Sequence, residues 1–103
     1  MGFEIQLQDE FGGKIESITD PKNLLPKMLP SDEQGRAYPM LAGIDLYGDT
    51  VFNRLQIPHL LSELEQIAST ARTDEDRTLL SHIEALALRC AAELHTYLKF
   101  IGE

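Results

Sequence analysis

The sequence predicts one α+β domain, built from an N-terminal β-hairpin, an irregular proline-rich middle, an antiparallel two-helix hairpin and a C-terminal strand that returns to the sheet. Three patterns predict this fold. Apolar and polar residues alternate near the N-terminus, apolar residues recur at helical spacing after residue 57, and β-branched and aromatic residues fill the final segment. The length of 103 residues fits a single domain spanning 1–103.

The first two strands are predicted from alternation. Phe3–Gln8 alternates apolar and polar residues over six positions, which is typical of a half-buried strand. Gly12 and Gly13 follow and favour a turn, because glycine adopts positive φ readily. Ile15–Thr19 is then predicted as the returning strand of a β-hairpin with a longer-than-minimal loop.

The stretch from Lys22 to Pro39 is predicted to be a loop. Closely spaced prolines prevent a long helix and remove donors from a strand ladder. Asn23–Leu25 is compatible with a single turn whose leucines cover one edge of the core. Ser31–Arg36 is wholly polar and is predicted to be the most mobile part. The residues that break regular structure in this stretch are Pro26, Pro30, Gly35 and Pro39.

The next segment is too short for one assignment. Tyr38–Asp45 is mainly apolar and is compatible with a third strand or with a buried turn. Leu46–Thr50 is expected to turn the chain toward the helical half. Asp49 or Thr50 is then a candidate cap for a short turn through Val51 and Phe52.

Two amphipathic helices are predicted next. The first runs from Pro58 to Ala71, with proline at the first helical position, where its missing N–H costs nothing. The second starts after Thr73, a candidate N-cap followed by three acidic residues at the positive end of the helix dipole. The short connection predicts that the helices are antiparallel neighbours. Their apolar stripes are Ile57, Leu60, Leu61, Leu64, Ile67, Ala68 and Ala71, and Leu79, Leu80, Ile83, Leu86, Ala87, Cys90, Ala91 and Leu94.

The last segment, Thr96–Ile101, is rich in β-branched and aromatic residues and favours a strand. A strand here that returns beside the hairpin would cover its open edge. The helix pair is then expected to pack on one face of the sheet.

Composition and charge exclude several function classes. The chain has 17 acidic and 9 basic residues and a net charge of −8. This field repels phosphate backbones and anionic lipid, which argues against nucleic-acid and membrane binding. No apolar run approaches the ~20 residues needed to span a bilayer. A single cysteine and no visible secretory signal predict a cytoplasmic protein without a disulfide framework.

Metal and nucleophile chemistry find little support in the sequence. Cys90 lies on the apolar stripe of the second helix, so it is predicted to be a core residue and not a thiolate nucleophile. His59 and Glu63 are four residues apart, but an exposed i,i+4 pair explains that spacing better than a metal site, which needs further ligands. No metal or cofactor is therefore predicted.

The most suggestive polar cluster is Asp45 and Asp49, which flank Leu46-Tyr47-Gly48. Two carboxylates in a glycine-containing turn suit cation binding or acid–base work, although structural roles in turns are the commoner explanation. Tyr38 and Tyr47 are equally compatible with an interface and with a small core, because tyrosine serves both. Phe52 and Tyr97 are predicted to be core residues.

Three segments resemble a small bacterial family of uncharacterised proteins. They are Asn23-Leu24-Leu25-Pro26, Tyr47-Gly48-Asp49-Thr50-Val51-Phe52-Asn53 and Tyr97-Leu98-Lys99-Phe100. The resemblance would extend over nearly the whole chain. It implies a bacterial origin and a stand-alone domain, and it implies no activity, ligand or catalytic residue.

We therefore predict a small acidic, non-enzymatic protein-binding module, with an immunity-type inhibitor of a basic toxin or nuclease as its most concrete form. The alternatives are a small ligand-binding domain or enzyme with a pocket near Asp45 and Asp49, and a homodimer joined through a sheet edge or helix face. The predicted contacts to a basic partner are Asp45, Tyr47, Asp49, Tyr38 and Glu63.

Overall fold

The computed structural model describes residues 3–30 and 37–102 and has an α+β fold. The elements of the described part are β1 (Phe3–Asp9), β2 (Lys14–Asp20), α1 (Leu24–Met28), α2 (Pro39–Ala42), β3 (Asp49–Phe52), α3 (Ile57–Ala68), α4 (Asp74–Ala92) and β4 (Thr96–Ile101). The predicted fold class is confirmed. The expected mobility of Ser31–Arg36 concerns residues outside the described ranges.

The strands form one antiparallel sheet in the order β2-β1-β4-β3. β1 pairs with β2 in the predicted hairpin and with β4 on its other side, where Leu7 lies opposite Leu98 and Ile5 opposite Phe100. β4 therefore occupies an interior position and joins the hairpin to β3. The predicted return of the C-terminal strand to the hairpin is confirmed.

The two faces of the sheet differ in polarity. Buried Leu98 and Phe100 belong to the face packed against the helices, whereas Tyr97 alternates onto the opposite face and is half-buried. The prediction that Tyr97 is a core residue is therefore wrong. On that opposite face, Gln8 Nε2 donates to Gln6 Oε1 at 2.7 Å and Gln6 Nε2 donates to Glu4 Oε2 at 2.8 Å.

β3 replaces the capped turn that was expected at Asp49–Phe52. Its four residues pair with β4, so that Phe52 lies opposite Leu98. The Phe52 ring also meets the Phe100 ring edge-on, with centroids 5.6 Å apart and an interplanar angle of 89°. The pairing partner is almost fifty residues away, so no local pattern specifies this strand, and the capped turn is wrong. Phe52 is buried, as predicted.

The proline-rich middle contains α1, which begins with residues predicted to form a turn. The buried Asp20 carboxylate accepts hydrogen bonds from Leu24 N and Leu25 N, both at 2.8 Å. Asn23 adopts the left-handed conformation, with φ of 55°, between this carboxylate and the helix. Leu25 is fully buried, which confirms that this turn covers the core. The loop predicted for Lys22–Pro39 is thus helical in part.

α2 settles the alternatives left open for Tyr38–Asp45, because its four residues form a helical turn and not a strand. Pro39 occupies the first turn, where the absent N–H leaves no hydrogen bond unmade. Leu41 and Ile44 are buried, so this segment contributes to the core.

The two long helices form the predicted hairpin. α3 has proline in its first turn, as expected, but ends at Ala68 and not at Ala71. The hydroxyl of Thr70 donates to Ile67 O at 2.8 Å, which satisfies a carbonyl at the helix end. At the start of α4, Thr73 Oγ1 accepts from Asp76 N at 3.1 Å, which confirms the predicted cap.

The core lies between one face of the sheet and the helices. Cys90 is fully buried, as predicted, and burial raises the pKa of its thiol, an effect partly offset by the nearby Thr96 hydroxyl. Leu94 is exposed because α4 ends at Ala92, so its assignment to the apolar stripe is wrong. Within the described ranges, no helix combines the length and apolar character needed to cross a bilayer.

Candidate protein-binding surface

The turn between α2 and β3 is held by hydrogen bonds at both of its ends. Asp45 Oδ1 accepts from Tyr47 N at 2.9 Å, and Asp45 N donates to Thr50 Oγ1 at 2.9 Å. Gly102 N donates to Gly48 O at 2.7 Å, which ties the turn to the chain after β4. Because three separate bonds fix its backbone, the turn presents its outward side chains from a defined position.

Tyr47 is the most prominent side chain of this turn. It is 81% exposed, although burying an aromatic side chain of this size lowers the free energy of the system. Of the two alternatives left open at the sequence level, the exposed position agrees with the interface. Tyr38 differs, since it is half-buried and packs against the core.

The two aspartates of the turn have different surroundings. Asp45 is exposed, and its carboxylate accepts the Tyr47 amide described above. Asp49 begins β3, and its Oδ2 lies 3.2 Å from Lys99 Nζ on the neighbouring strand. The Asp49 side chain is about half exposed and that of Lys99 is partly buried, so the carboxylate remains accessible to a cation on a partner.

Glu63 does not belong to this surface. It is 5% exposed, and its carboxylate accepts hydrogen bonds from Met40 N at 3.1 Å and Leu41 N at 2.9 Å. These amides open α2, where no earlier carbonyl is available to them, so Glu63 fastens α2 to α3. Its assignment as an interface residue is wrong. The proposed exposed pair with His59 is wrong too, because His59 is exposed and Glu63 is buried.

The burial of Glu63 can be recognised from its spacing to the apolar residues of α3. It lies three residues after Leu60 and four before Ile67, so it occupies the apolar stripe of α3. A carboxylate in such a position needs internal donors, because burying an unpaired charge is very costly. Asp20 is likewise a buried carboxylate that accepts from internal amides, those of Leu24 and Leu25, and the sequence analysis missed it too.

Two clefts in the described part of the chain lie away from the turn. One of about 360 Å³ lies between the end of β2 and α4 and includes His82. Another of about 470 Å³ lies between α3 and α4 and is lined by Pro58, Leu61, Ser62, Glu65, Glu84 and Leu88. Neither includes Asp45 or Asp49. Among the described residues, no group of three or more metal-ligating side chains comes together.

Comparison of the chain with known protein families, curated proteins and solved structures finds no match. The resemblance to a small bacterial family therefore stays a prediction.

Proposed function

We propose that this chain is a small acidic, non-enzymatic module of the cytoplasm that binds a basic protein through the turn Asp45–Asp49. The observation that carries the proposal is the exposed Tyr47 ring on a turn whose backbone is fixed by hydrogen bonds. Because the backbone of the turn is already ordered, binding through Tyr47 needs to order only its side chain, and tyrosine is common among the residues that dominate interface energy.

The chemistry of the turn suits a cationic partner. The face of the Tyr47 ring can stack on a guanidinium or ammonium group, and the carboxylates of Asp45 and Asp49 can accept its N–H groups. The net charge of −8 adds a long-range field that accelerates encounter with a basic protein. An immunity-type inhibitor that neutralises a basic toxin or nuclease is the specific form that we propose.

The competing pocket hypothesis has weaker support. Asp45 already accepts the Tyr47 amide, and Asp49 is paired with Lys99, so neither carboxylate is poised as an isolated acid or base. The clefts described above are lined by other residues. Small-molecule sites are concave, whereas an exposed turn can bind a protein partner without a pocket.

The test is capture of a partner from lysate of the host organism by the tagged protein, compared across matched variants. Tyr47→Ala is paired with Phe11→Ala, because Phe11 is 89% exposed on the β1–β2 loop at the opposite end of the sheet. We expect one stoichiometric basic protein to be captured by the wild type and by Phe11→Ala. We expect Tyr47→Ala to lose most of it, by about 30-fold in affinity, as for a typical dominant interface residue.

Charge is tested separately from turn structure. Asp45→Asn keeps an oxygen that can accept from Tyr47 N, and Asp49→Asn removes the charge that faces Lys99. We expect the double variant to bind more weakly and with a reduced dependence on salt. Glu10→Gln/Glu16→Gln carries the same change in net charge on the hairpin and serves as the control. Equal binding by both double variants would contradict the assignment of the turn.

A further inference from the structure

A second surface stands apart from the turn, on the seam between α3 and α4. Its apolar lining residues are Leu61, which is half-buried, and Pro58, which is exposed, on α3, and Leu88 on α4, which is 59% exposed. Leu55, in the loop that leads into α3, is 83% exposed and lies three residues before Pro58. Pro58, Leu61 and Leu88 line one cleft and give it an apolar surface of the kind that a partner protein covers.

Two carboxylates also line this groove. Glu65 and Glu84 line the same cleft as Leu61 and Leu88. Among the described residues neither of them takes part in an ion pair, whereas the ion-paired cations Lys22, Arg77, Arg89 and Lys99 have other acidic partners. The groove therefore combines apolar surface with uncompensated negative charge.

The spacing of these four residues is regular. Glu65 follows Leu61 by four residues on α3, and Glu84 precedes Leu88 by four residues on α4. Because the helices are antiparallel, the step from Leu61 to Glu65 runs in the same direction as the step from Leu88 to Glu84, and each covers about 6 Å along its helix. On each helix the leucine therefore lies toward one end of the groove and the glutamate toward the other, about one helical turn apart.

We propose that this groove binds a basic amphipathic helix of a partner protein. An apolar side chain of that helix rests on Leu61 and Leu88, and a lysine or arginine four residues away lies between Glu65 and Glu84. About one helical turn separates the leucine from the glutamate on each helix, so a regular helix meets both without distortion. The proposal does not rest on the Asp45–Asp49 turn, because the groove shares no residue with it.

Charge decides among the possible occupants. A second copy of this chain docked by the same groove would bring two more carboxylates and no cation, because the lining residues include Glu65 and Glu84 but no lysine or arginine. An anionic lipid surface meets the same repulsion. A cationic helix removes the repulsion between Glu65 and Glu84 and covers Leu88 at the same time.

The test uses the full chain, labelled with ¹⁵N, and a synthetic 15-residue helical peptide of leucine, lysine and alanine with leucine and lysine four residues apart. We expect amide shift changes to concentrate on residues 58–65 and 84–92, with saturation below 1 mM peptide. A peptide of the same length with glutamate in place of lysine should not bind. A peptide of identical composition with the four-residue spacing scrambled should bind at least tenfold more weakly.

Matched variants separate this site from general attraction to an acidic protein. Glu65→Gln/Glu84→Gln should weaken binding about tenfold, on the order expected for two exposed ion pairs. Leu88→Ser should weaken it to a similar extent while leaving the free energy of unfolding nearly unchanged, because Leu88 is exposed. Glu10→Gln/Glu75→Gln has the same net charge as the first variant and should bind like the wild type.

Three outcomes would overturn the proposal. The first is equal weakening by the two double glutamine variants, which would show that only net charge matters. The second is the absence of shift changes in the groove at 1 mM peptide. The third is a dimer mass in sedimentation that Leu88→Ser reduces to the monomer, which would assign the groove to a second copy of the chain.

Discussion

Replacing Glu63 by glutamine tests the internal role that the structure gives to this carboxylate. Both oxygens of Glu63 accept backbone amides, Oε2 from Met40 and Oε1 from Leu41. Glutamine has nearly the same shape, but one of its oxygens is replaced by an NH₂ group that cannot accept. One amide at the start of α2 then faces a donor and loses its partner.

The expected cost follows from these two bonds. A hydrogen bond to a charged acceptor contributes about 1.5–3 kcal/mol, and leaving a buried donor unsatisfied costs about 1–3 kcal/mol. These ranges describe the same lost bond from two sides, so they are not added. We expect Glu63→Gln to lower the free energy of unfolding by about 2 kcal/mol. For a chain of 103 residues, that corresponds to a fall in Tm of roughly 8–16 °C.

Urea unfolding followed by circular dichroism measures this difference, with the wild type and Glu63→Gln analysed at a common m-value. Glu65→Gln is the matched control, because it makes the same chemical change two residues later at an exposed position. It should remain within about 0.5 kcal/mol of the wild type. If the two variants have equal stabilities, Glu63 does not hold α2 as described.

Three further predictions concern the helix cap, the buried thiol and β3. Thr73→Ala should lower the free energy of unfolding by about 0.5–2 kcal/mol through loss of the cap, whereas Thr78→Ala, within the same helix and exposed, should not, as thermal unfolding would show. Cys90 should react with a thiol reagent only after unfolding. Because burial raises the pKa of Cys90 in the folded chain, the unfolded chain releases this proton at lower pH. The contribution of Cys90 to the free energy of unfolding is therefore complete below pH 9.0 and declines as pH rises above it. Comparing the pH dependence of unfolding with that of Cys90→Ala isolates this contribution. Phe52→Ala should lower the free energy of unfolding by about 3–5 kcal/mol and reduce hydrogen-exchange protection more in β3 than in β1. An equal loss of protection in both strands would contradict the edge position of β3 in the sheet.

The regular parts of the fold could be predicted because their patterns are local. The alternation of Phe3–Gln8 and the apolar stripe from Leu79 to Cys90 each bury one face, so periodicity reveals them without knowledge of the partner. The cap at Thr73 depends only on the three residues that follow it. These are the elements for which residues near in sequence supply most of the information.

The middle of the chain could not be predicted in the same way, because distant residues determine its structure. Four residues at Asp49–Phe52 become a strand only because β4 offers a pairing edge. α2 exists where it does because Glu63, over twenty residues later, supplies acceptors for its first amides. Tertiary contacts override weak local preference in both cases.

The candidate surface was predicted in part. Asp45, Tyr47 and Asp49 do share one exposed turn, as their closeness in sequence ensures. The groove between α3 and α4 was missed because Leu61 was assigned to the core stripe of the first helix, whereas Leu88 belongs to neither stripe. Only the packing of the two helices brings them to one seam and leaves Leu88 outside.

The interior position of β4 has a consequence for how the protein is made. β4 is hydrogen-bonded to β1 on one side and β3 on the other, and these two strands have no contact ladder with each other. During synthesis, β1, β2 and β3 leave the ribosome before the strand that unites them. One edge of β1 and one edge of β3 therefore stay without a hydrogen-bonding partner until β4 has been synthesised. The four-stranded sheet can form only after β4 is available, because β4 is the strand that joins the β1–β2 hairpin to β3.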